Sequence, residues 1–299
     1  MVQNFITRSH RALFARALIC LVVVALTACS AARLGYSNGE LLSYWWLDSY
    51  VDFDAEQQPW VKQRIAALFA WHRSTQLANY SRLLLREQER LRREVSTAEV
   101  LESYDEFGAR AKTLVDRILP DLAELALTLR PQQIAHIEKK FKSNSETFRK
   151  QYLRGDVEQR QRFRYKKAME QAEYWFGEFS SEQERAIRIA SDARPLNNEI
   201  WLADRLHRQS GLIAVLKKIE AEKPNRDVVI ALLREYIDVN YFSHSANPEF
   251  TAFFEGYRAG SAGLTALIIN LATPAQKARA HKKVQQWIDD FTLLATHAT

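Results

Sequence analysis

Four short strings of one design recur along this chain. Each sets an apolar residue before a helix-opening residue, with a glutamine three places further on. They are Phe53-Asp54-Ala55-Glu56-Gln57, Leu129-Arg130-Pro131-Gln132-Gln133, Phe179-Ser180-Ser181-Glu182-Gln183 and Ala272-Thr273-Pro274-Ala275-Gln276. In three of them Asp54, Ser180 or Thr273 forms a capping box with its glutamine. The cap oxygen takes an orphan backbone amide, and the glutamine reaches back to the cap amide. Pro131 and Pro274 suit the first helical position, where no amide partner is lost. Ser96 with Glu99, and Asp156 with Gln159, read as further caps. A chain punctuated this way folds into helices. Glycine and proline are correspondingly scarce, nine and seven in 299 residues. Strong helix formers dominate, apolar residues recur at spacings of three and four, and no alternating β-branched run is present.

The resulting map starts with a short aromatic helix at about 40–50, then one long helix at about 54–93, reaching ~60 Å if straight. The next helix, about 97–119, is expected to kink or restart at Pro120. Further helices are expected at about 131–153, 157–178, 181–191, 197–221, 226–241, 248–271 and 274–296, as the caps and breaks direct. The four glutamines are separated by 76, 50 and 93 residues, so no fixed solenoid period exists. Short connections favour antiparallel neighbours. The expected fold is all-α: an irregular multi-helix bundle with one long N-terminal helix. A single helical domain spans 39–299, with a possible subdomain break near 191–197.

The N-terminus has a different character. Arg8, Arg11 and Arg16 precede an apolar run from Ala17 to Ala28 that ends at Cys29. The run is about a dozen residues, short of the ~20 a span needs, and it reads as a secretory signal. Leu26-Thr27-Ala28-Cys29 matches the lipobox at every position. Residues 1–28 are therefore expected to be removed, with Cys29 multiply acylated, which gives stable anchoring where one chain does not. An uncut transmembrane helix, or ordinary cleavage leaving a free Cys29 thiol, are the alternatives. Residues 29–38 would form the lipidated N-terminus and a short tether. Ser30, rather than an aspartate, follows Cys29, which favours the inner leaflet of the outer membrane, facing the periplasm. Cys20 leaves with the signal, so the mature chain holds no thiol nucleophile, disulfide or cysteine metal ligand.

Charge is uneven. The whole chain is +6, and removing three signal arginines leaves +3. Residues 130–167 carry twelve Lys or Arg against four acids, a local +8. Within this segment Arg154, Arg160, Arg162, Arg164, Lys166 and Lys167 are the candidate surface for an anionic partner, interleaved with Phe163 and Tyr165. A solvated helix face is the plain alternative. Export excludes nucleic acid and leaves lipid headgroups, lipopolysaccharide, peptidoglycan carboxylates or acidic proteins.

No other motif carries chemistry. His72, His136, His207, His244, His281 and His297 lack a metal-binding helical spacing, and no metal site is expected. There is no nucleophile elbow, phosphate loop or dinucleotide fingerprint, so no cofactor and no catalytic residue is assigned. Tyr44-Trp45-Trp46-Leu47-Asp48-Ser49-Tyr50 is the densest aromatic cluster. It is expected to be core rather than an interfacial helix, because aromatic rings dominate packing. Gly256, Gly260 and Gly263 are expected to serve close helix packing.

Two resemblances add to this reading. Arg33-Leu34-Gly35-Tyr36-Ser37-Asn38, then Trp46 through Gln57, resemble the opening of an uncharacterised family of Gram-negative all-helical lipoproteins. Trp71-His72-Arg73 and the helix start at 129–133 fit it too. That resemblance implies location and fold but no activity. The apolar-cap-x-x-Gln starts are also similar to the Leu-Thr-x-x-Gln motifs of small periplasmic proteins related to the chaperone Spy. Ala272-Thr273-Pro274-Ala275-Gln276 comes nearest to that motif, with Leu271 one residue early. The expectation is a membrane-anchored envelope lipoprotein that binds or scaffolds without catalysis. A cell-wall or lipid-active enzyme using carboxylates and histidines from separate helices is one alternative. A periplasmic chaperone-like protein is the other.

Overall fold

The structure is a computed structural model, described over residues 31–242 and 248–296. Cys29 and the signal residues Leu26, Thr27 and Ala28 lie outside the described residues, as do His244 and His297. The described residues form twelve α-helices, one π-helical turn and no strand. The helices are α1 (Ala31–Ser37), α2 (Gly39–Val51), α3 (Gln57–Thr75), α4 (Leu77–Arg90), α5 (Thr97–Thr128) and α6 (Pro131–Tyr152). They continue as α7 (Val157–Phe176), α8 (Ser181–Ala193), α9 (Asn198–Glu222) and α10 (Arg226–Ile237). The π-helical turn Asp238–Phe242 follows, then α11 (Pro248–Leu271) and α12 (Pro274–Thr296). The segment expected as a tether is thus helical from Ala31 to Ser37.

The predicted caps form. Asp54 Oδ1 accepts from Gln57 N at 2.9 Å, Ser180 Oγ from Gln183 N at 3.2 Å, and Thr273 Oγ1 from Gln276 N at 3.3 Å. Ser96 and Asp156 cap α5 and α7 in the same way. Beyond this, the four glutamines meet in pairs. Gln133 Nε2 donates to Gln57 Oε1 at 2.7 Å, and Gln57 Nε2 donates back at 3.3 Å. Gln183 and Gln276 repeat the exchange at 2.9 and 3.2 Å. Each glutamine oxygen also accepts the amide of its own cap residue. Each Nε2 also donates to a carbonyl two residues before the partner's cap: Thr128, Asp52, Leu271 and Glu178. Both lone pairs and both protons of every amide are thereby used.

Each pair sits on its own core. The first core gathers Tyr44, Val51, Phe53, Val61, Leu119, Leu129, Ile134, Leu216, Ile219 and Val229 from α2, α3, α5, α6, α9 and α10. The second gathers Leu91, Phe176, Phe179, Ile187, Leu264, Ala272, Val284 and Ile288 from around α7, α8, α11 and α12. The residue ahead of each cap (Phe53, Leu129, Phe179, Ala272) is buried. The chain crosses between the cores several times. The stretch 194–197, where a subdomain break was expected, is one such crossing. The N-terminal half of α5 ties the cores together by packing Val100 against Ala262 and Ala266 of α11.

Two expectations are corrected. The long helix over 54–93 is two helices broken at Gln76. Ser74 Oγ and Thr75 Oγ1 both bond back to the Trp71 carbonyl, at 3.1 and 2.7 Å, and Asn79 Nδ2 takes the Thr75 carbonyl at 2.9 Å. The ladder is diverted at Asn79, whose side chain takes the Thr75 carbonyl while its own N–H turns to the Gln76 carbonyl at 2.9 Å. The break lets α4 run along α12 while α3 stays against α2. Conversely, α5 continues through Pro120. Its fully buried neighbours Leu119 and Ala123 hold that turn in the first core against the ~3 kcal/mol a helical proline costs.

The glycines of α11 do serve close packing. A Cβ on Gly256 would stand 3.3 Å from Pro195 Cγ, and one on Gly260 would stand 3.1 Å from Arg194 Cγ. The crossing segment lies across these two positions.

Truncating Gln133 to alanine strands the buried Gln57 amide and the Arg130 N–H, and should cost about 2–3 kcal/mol. Replacing Gln57 and Gln133 together with methionine should cost less than the two single truncations summed. Urea unfolding of the singles and the double measures the difference. A second test concerns His72, which meets the Tyr36 hydroxyl at 2.9 Å and packs beside Tyr80. Burial lowers its pKa from 6.5. A base lowered in the fold stabilises fully above its unfolded pKa and loses that contribution as pH falls below it. The urea midpoint should therefore fall between about pH 8 and about pH 5, and His72→Phe should flatten that part of the profile.

Candidate functional site

A cleft of about 1170 Å³ opens between α5, α9, the π-helical turn and α11. Helical spacing sets each wall. Trp201, Asp204 and Arg208 project from one face of α9, Phe250, Phe254 and Arg258 from one face of α11, and Leu101 and Asp105 from the start of α5. The fourth wall is Val239-Asn240-Tyr241-Phe242. That turn is held from both sides. Tyr236 Oη donates to the Arg208 carbonyl at 2.8 Å, and Asn240 Nδ2 to the Tyr236 carbonyl at 2.7 Å. Lys112 pairs with Asp238 at 3.1 Å and lies over the Phe242 ring. A π-helical turn in this position turns successive rings toward the opening, the kind of distortion often found at functional sites.

The rings of Trp201, Tyr241, Phe242, Phe250 and Phe254 line the walls. Trp201 meets Phe254 edge-on at 4.7 Å and Tyr257 at 5.3 Å between centroids. Tyr241 and Phe242 remain exposed. The charges are arranged in pairs. Asp204 pairs with Arg208 at 2.7 Å, and the Arg208 guanidinium also lies 5.2 Å over the Tyr241 ring. Asp105 pairs with Arg258, which also donates to the Leu101 carbonyl. Burial pushes the Asp204 carboxyl up, and Arg208 opposes that shift. Burial likewise raises the Tyr236 hydroxyl far above its ordinary value, with Tyr241 adding to the effect. Tyr236 is therefore a protonated donor throughout the physiological range. Chemically, the cleft offers stacking surface, two arginines set among the carboxylates Asp105, Asp204 and Glu255, and hydrogen-bonding edges. Among the described residues, no three His, Cys, Asp or Glu side chains converge to hold a metal ion.

The cleft was not singled out by the sequence. Its signal was present in Phe250, Phe253, Phe254 and Tyr257, an aromatic stripe at helical spacing, and in Tyr241-Phe242 ahead of the Ser243–Pro248 break.

The six basic residues expected to form one surface have different fates. Arg164 is half-buried and donates to the carbonyls of Pro195 at 2.8 Å and Arg194 at 3.2 Å, pinning the chain crossing. Burial, then the nearby Arg194 charge, lowers its pKa. Arg160 bonds the Leu153 carbonyl and Glu199, at 2.6 and 2.8 Å. Arg162 pairs with Glu158 and Lys167 with Glu170 along α7. Arg154 and Lys166 are exposed, and no ion pair engages either among the described residues.

The aromatic cluster of α2 also divides. Tyr44 is buried in the first core, stacked on Phe53, and Tyr50 packs on Phe141. Trp45 and Trp46, expected in the core, are 57% and 61% exposed. A single helix cannot turn rings at consecutive positions, 100° apart, all toward one core.

No curated protein and no solved structure matches this chain. A family match covers residues 49–236, from the end of α2 through α10. It takes in the first glutamine pair, Gln183 and the α9 wall of the cleft, and stops short of the π-helical turn and α11. With more than half of its 299 residues matched, the chain belongs to the family of unknown function DUF6279.

Proposed function

We propose that this protein is a lipid-anchored envelope lipoprotein that binds a ligand rather than transforming it, with the cleft as the binding site. The observation that carries this reading is the cleft itself: aromatic walls, with Asp105 and Asp204 each held by an arginine. A cavity of this size with convergent polar groups is the usual form of a small-ligand site. The ligand class that fits is an amphipathic small molecule, with its apolar part on the rings and its polar end at the charge pairs of Arg208 and Arg258. The anchor rests on Leu26-Thr27-Ala28-Cys29. Among the described residues no helix is long and apolar enough to cross a membrane.

A second contact is supported by Arg154 and Lys166. Both are exposed cations suited to an acidic envelope partner, such as lipopolysaccharide phosphate. Arg160 and Arg164 contribute to the fold instead.

Titration with the fluorescent apolar anion 1-anilinonaphthalene-8-sulfonate tests the cleft. Saturable binding to one site is expected, weakened about tenfold by Tyr241→Ala or Phe242→Ala, the factor that loss of ~1.4 kcal/mol of ring contact gives. Binding unchanged in both variants would remove the cleft from consideration. Suppressed aggregation of an unfolded client, lost in the same variants, would favour the chaperone-like reading. For these two cations, Arg154→Glu with Lys166→Glu should abolish salt-sensitive retention on lipopolysaccharide without moving the urea midpoint. Arg164→Ala should instead lower stability by about 1–3 kcal/mol, because it frees buried carbonyls.

A further inference from the structure

Helix α2 is apolar on both of its sides, and only one side faces the core. Tyr44 and Val51 point inward, with Leu47 packed beside them. Leu41, Leu42, Trp45 and Trp46 are exposed. At 100° per residue these four fall within an arc of about 140°. Ser49 is the only other α2 side chain in that arc, and its hydroxyl folds back onto the Trp46 carbonyl at 2.8 Å. The acids of α2 lie outside it and are engaged: Glu40 with Arg73, and Asp48 with the Phe53 amide. Exposed Leu34 stands one heptad before Leu41. The bonds Asn38 N to Leu34 O and Leu42 N to Asn38 O carry α1 into α2, so Leu34 extends the strip. An apolar strip of this kind left outside the core marks a surface that another apolar surface covers.

The position of the strip says what covers it. Cys29 stands two residues before α1, and two residues reach at most ~7 Å. Helix α1 is no loose leash. Arg33 pairs with the buried carboxylate of Asp290 at 2.9 Å, and Tyr36 meets His72 at 2.9 Å. A lipid on Cys29 therefore brings this face to the headgroups with no slack to hold it away. The chemistry fits that layer. Tryptophan favours the membrane–water boundary. One cation borders the strip, Lys140 at 5.5 Å over the Tyr50 ring, which itself meets the Trp46 ring at 5.0 Å, where anionic headgroups would meet it.

We propose that the strip Leu34, Leu41, Leu42, Trp45 and Trp46 beds into the headgroup–acyl boundary of the leaflet that carries the Cys29 lipid. The acyl chains supply attachment, and the strip fixes which way the body faces. This inference rests on the lipid-anchor reading above.

The test uses the natively processed protein, purified from membranes and returned to vesicles of phosphatidylethanolamine and phosphatidylglycerol. Part of the lipid is brominated at shallow or deep acyl positions. Tryptophan emission should be quenched by the shallow bromines. The quenching should be lost in Leu41→Glu/Leu42→Glu, which keeps all seven tryptophans and changes only exposed side chains, with helical content checked by circular dichroism. Trp45→Phe/Trp46→Phe should remove the quenched component alone. An acylated protein that floats with the vesicles while its tryptophans stay unquenched overturns the proposal and leaves the anchor standing. So does quenching that survives the Leu41→Glu/Leu42→Glu change, or a cross-linked dimer that buries Trp45 and Trp46 in a second copy. A Cys29→Ser protein that still floats and is still quenched sustains the strip and overturns the anchor instead.

Discussion

The two reciprocal glutamine amides are the interaction on which the rest of the structure depends. Every helix start in the set must satisfy orphan amides. Here the residue that does so at one start also satisfies its counterpart at another, 76 or 93 residues away. A local capping device thus becomes a long-range tie. Gln57 and Gln133 are buried, so their amides have no water to fall back on. Either helix start displaced by an ångström would leave several polar atoms unpaired at once. The buried residue ahead of each cap locks the same positions through apolar packing. The two cores and the helix order follow from where these ties fall.

Between the ties, the fold is interleaved rather than modular. The chain leaves the first core at Gln76, returns through α5, and crosses again at Arg194 and Pro195. That last crossing is fixed from three directions: Arg164 takes its carbonyls, the glycines of α11 make room for it, and Arg194 lies over Tyr257. The cleft opens beside this crossing. Its α9 wall begins just after the crossing, and its α11 wall is the helix on which the crossing rests. The family match ends at residue 236, within α10 and before the two aromatic walls that complete the cleft.

The exposed tryptophans and the cleft serve different ends in the functional reading. The strip on α1 and α2 concerns how the body meets a surface, whereas the cleft concerns what it holds. Both depend on aromatic side chains that the first and second cores leave uncovered. Their backbone positions are nevertheless fixed, because Tyr44 and Val51 hold α2, and Tyr236 holds the turn bearing Tyr241.

Much of the helical layout was legible in the sequence. Caps, prolines and apolar spacing act within one or two turns, so α6 through α9, α11 and α12 begin and end within two residues of where local chemistry places them. Local rules failed at Gln76 and Pro120. The Asn79 side chain takes a ladder carbonyl in a helix that propensity would continue, and a buried turn carries α5 through Pro120. The glutamines were legible as capping residues but not as partners, since nothing in a five-residue string names the string it will meet. The basic segment was legible as charge, but burial decided that Arg164 is a strut and Lys166 a surface group. The cleft was out of reach because its walls come from four separated stretches. By itself the sequence determined most of the helices and their caps, because each is set by neighbours along the chain. Only the tertiary structure decided which glutamines pair, which tryptophans stay outside and where a cavity opens, because burial depends on residues distant in sequence.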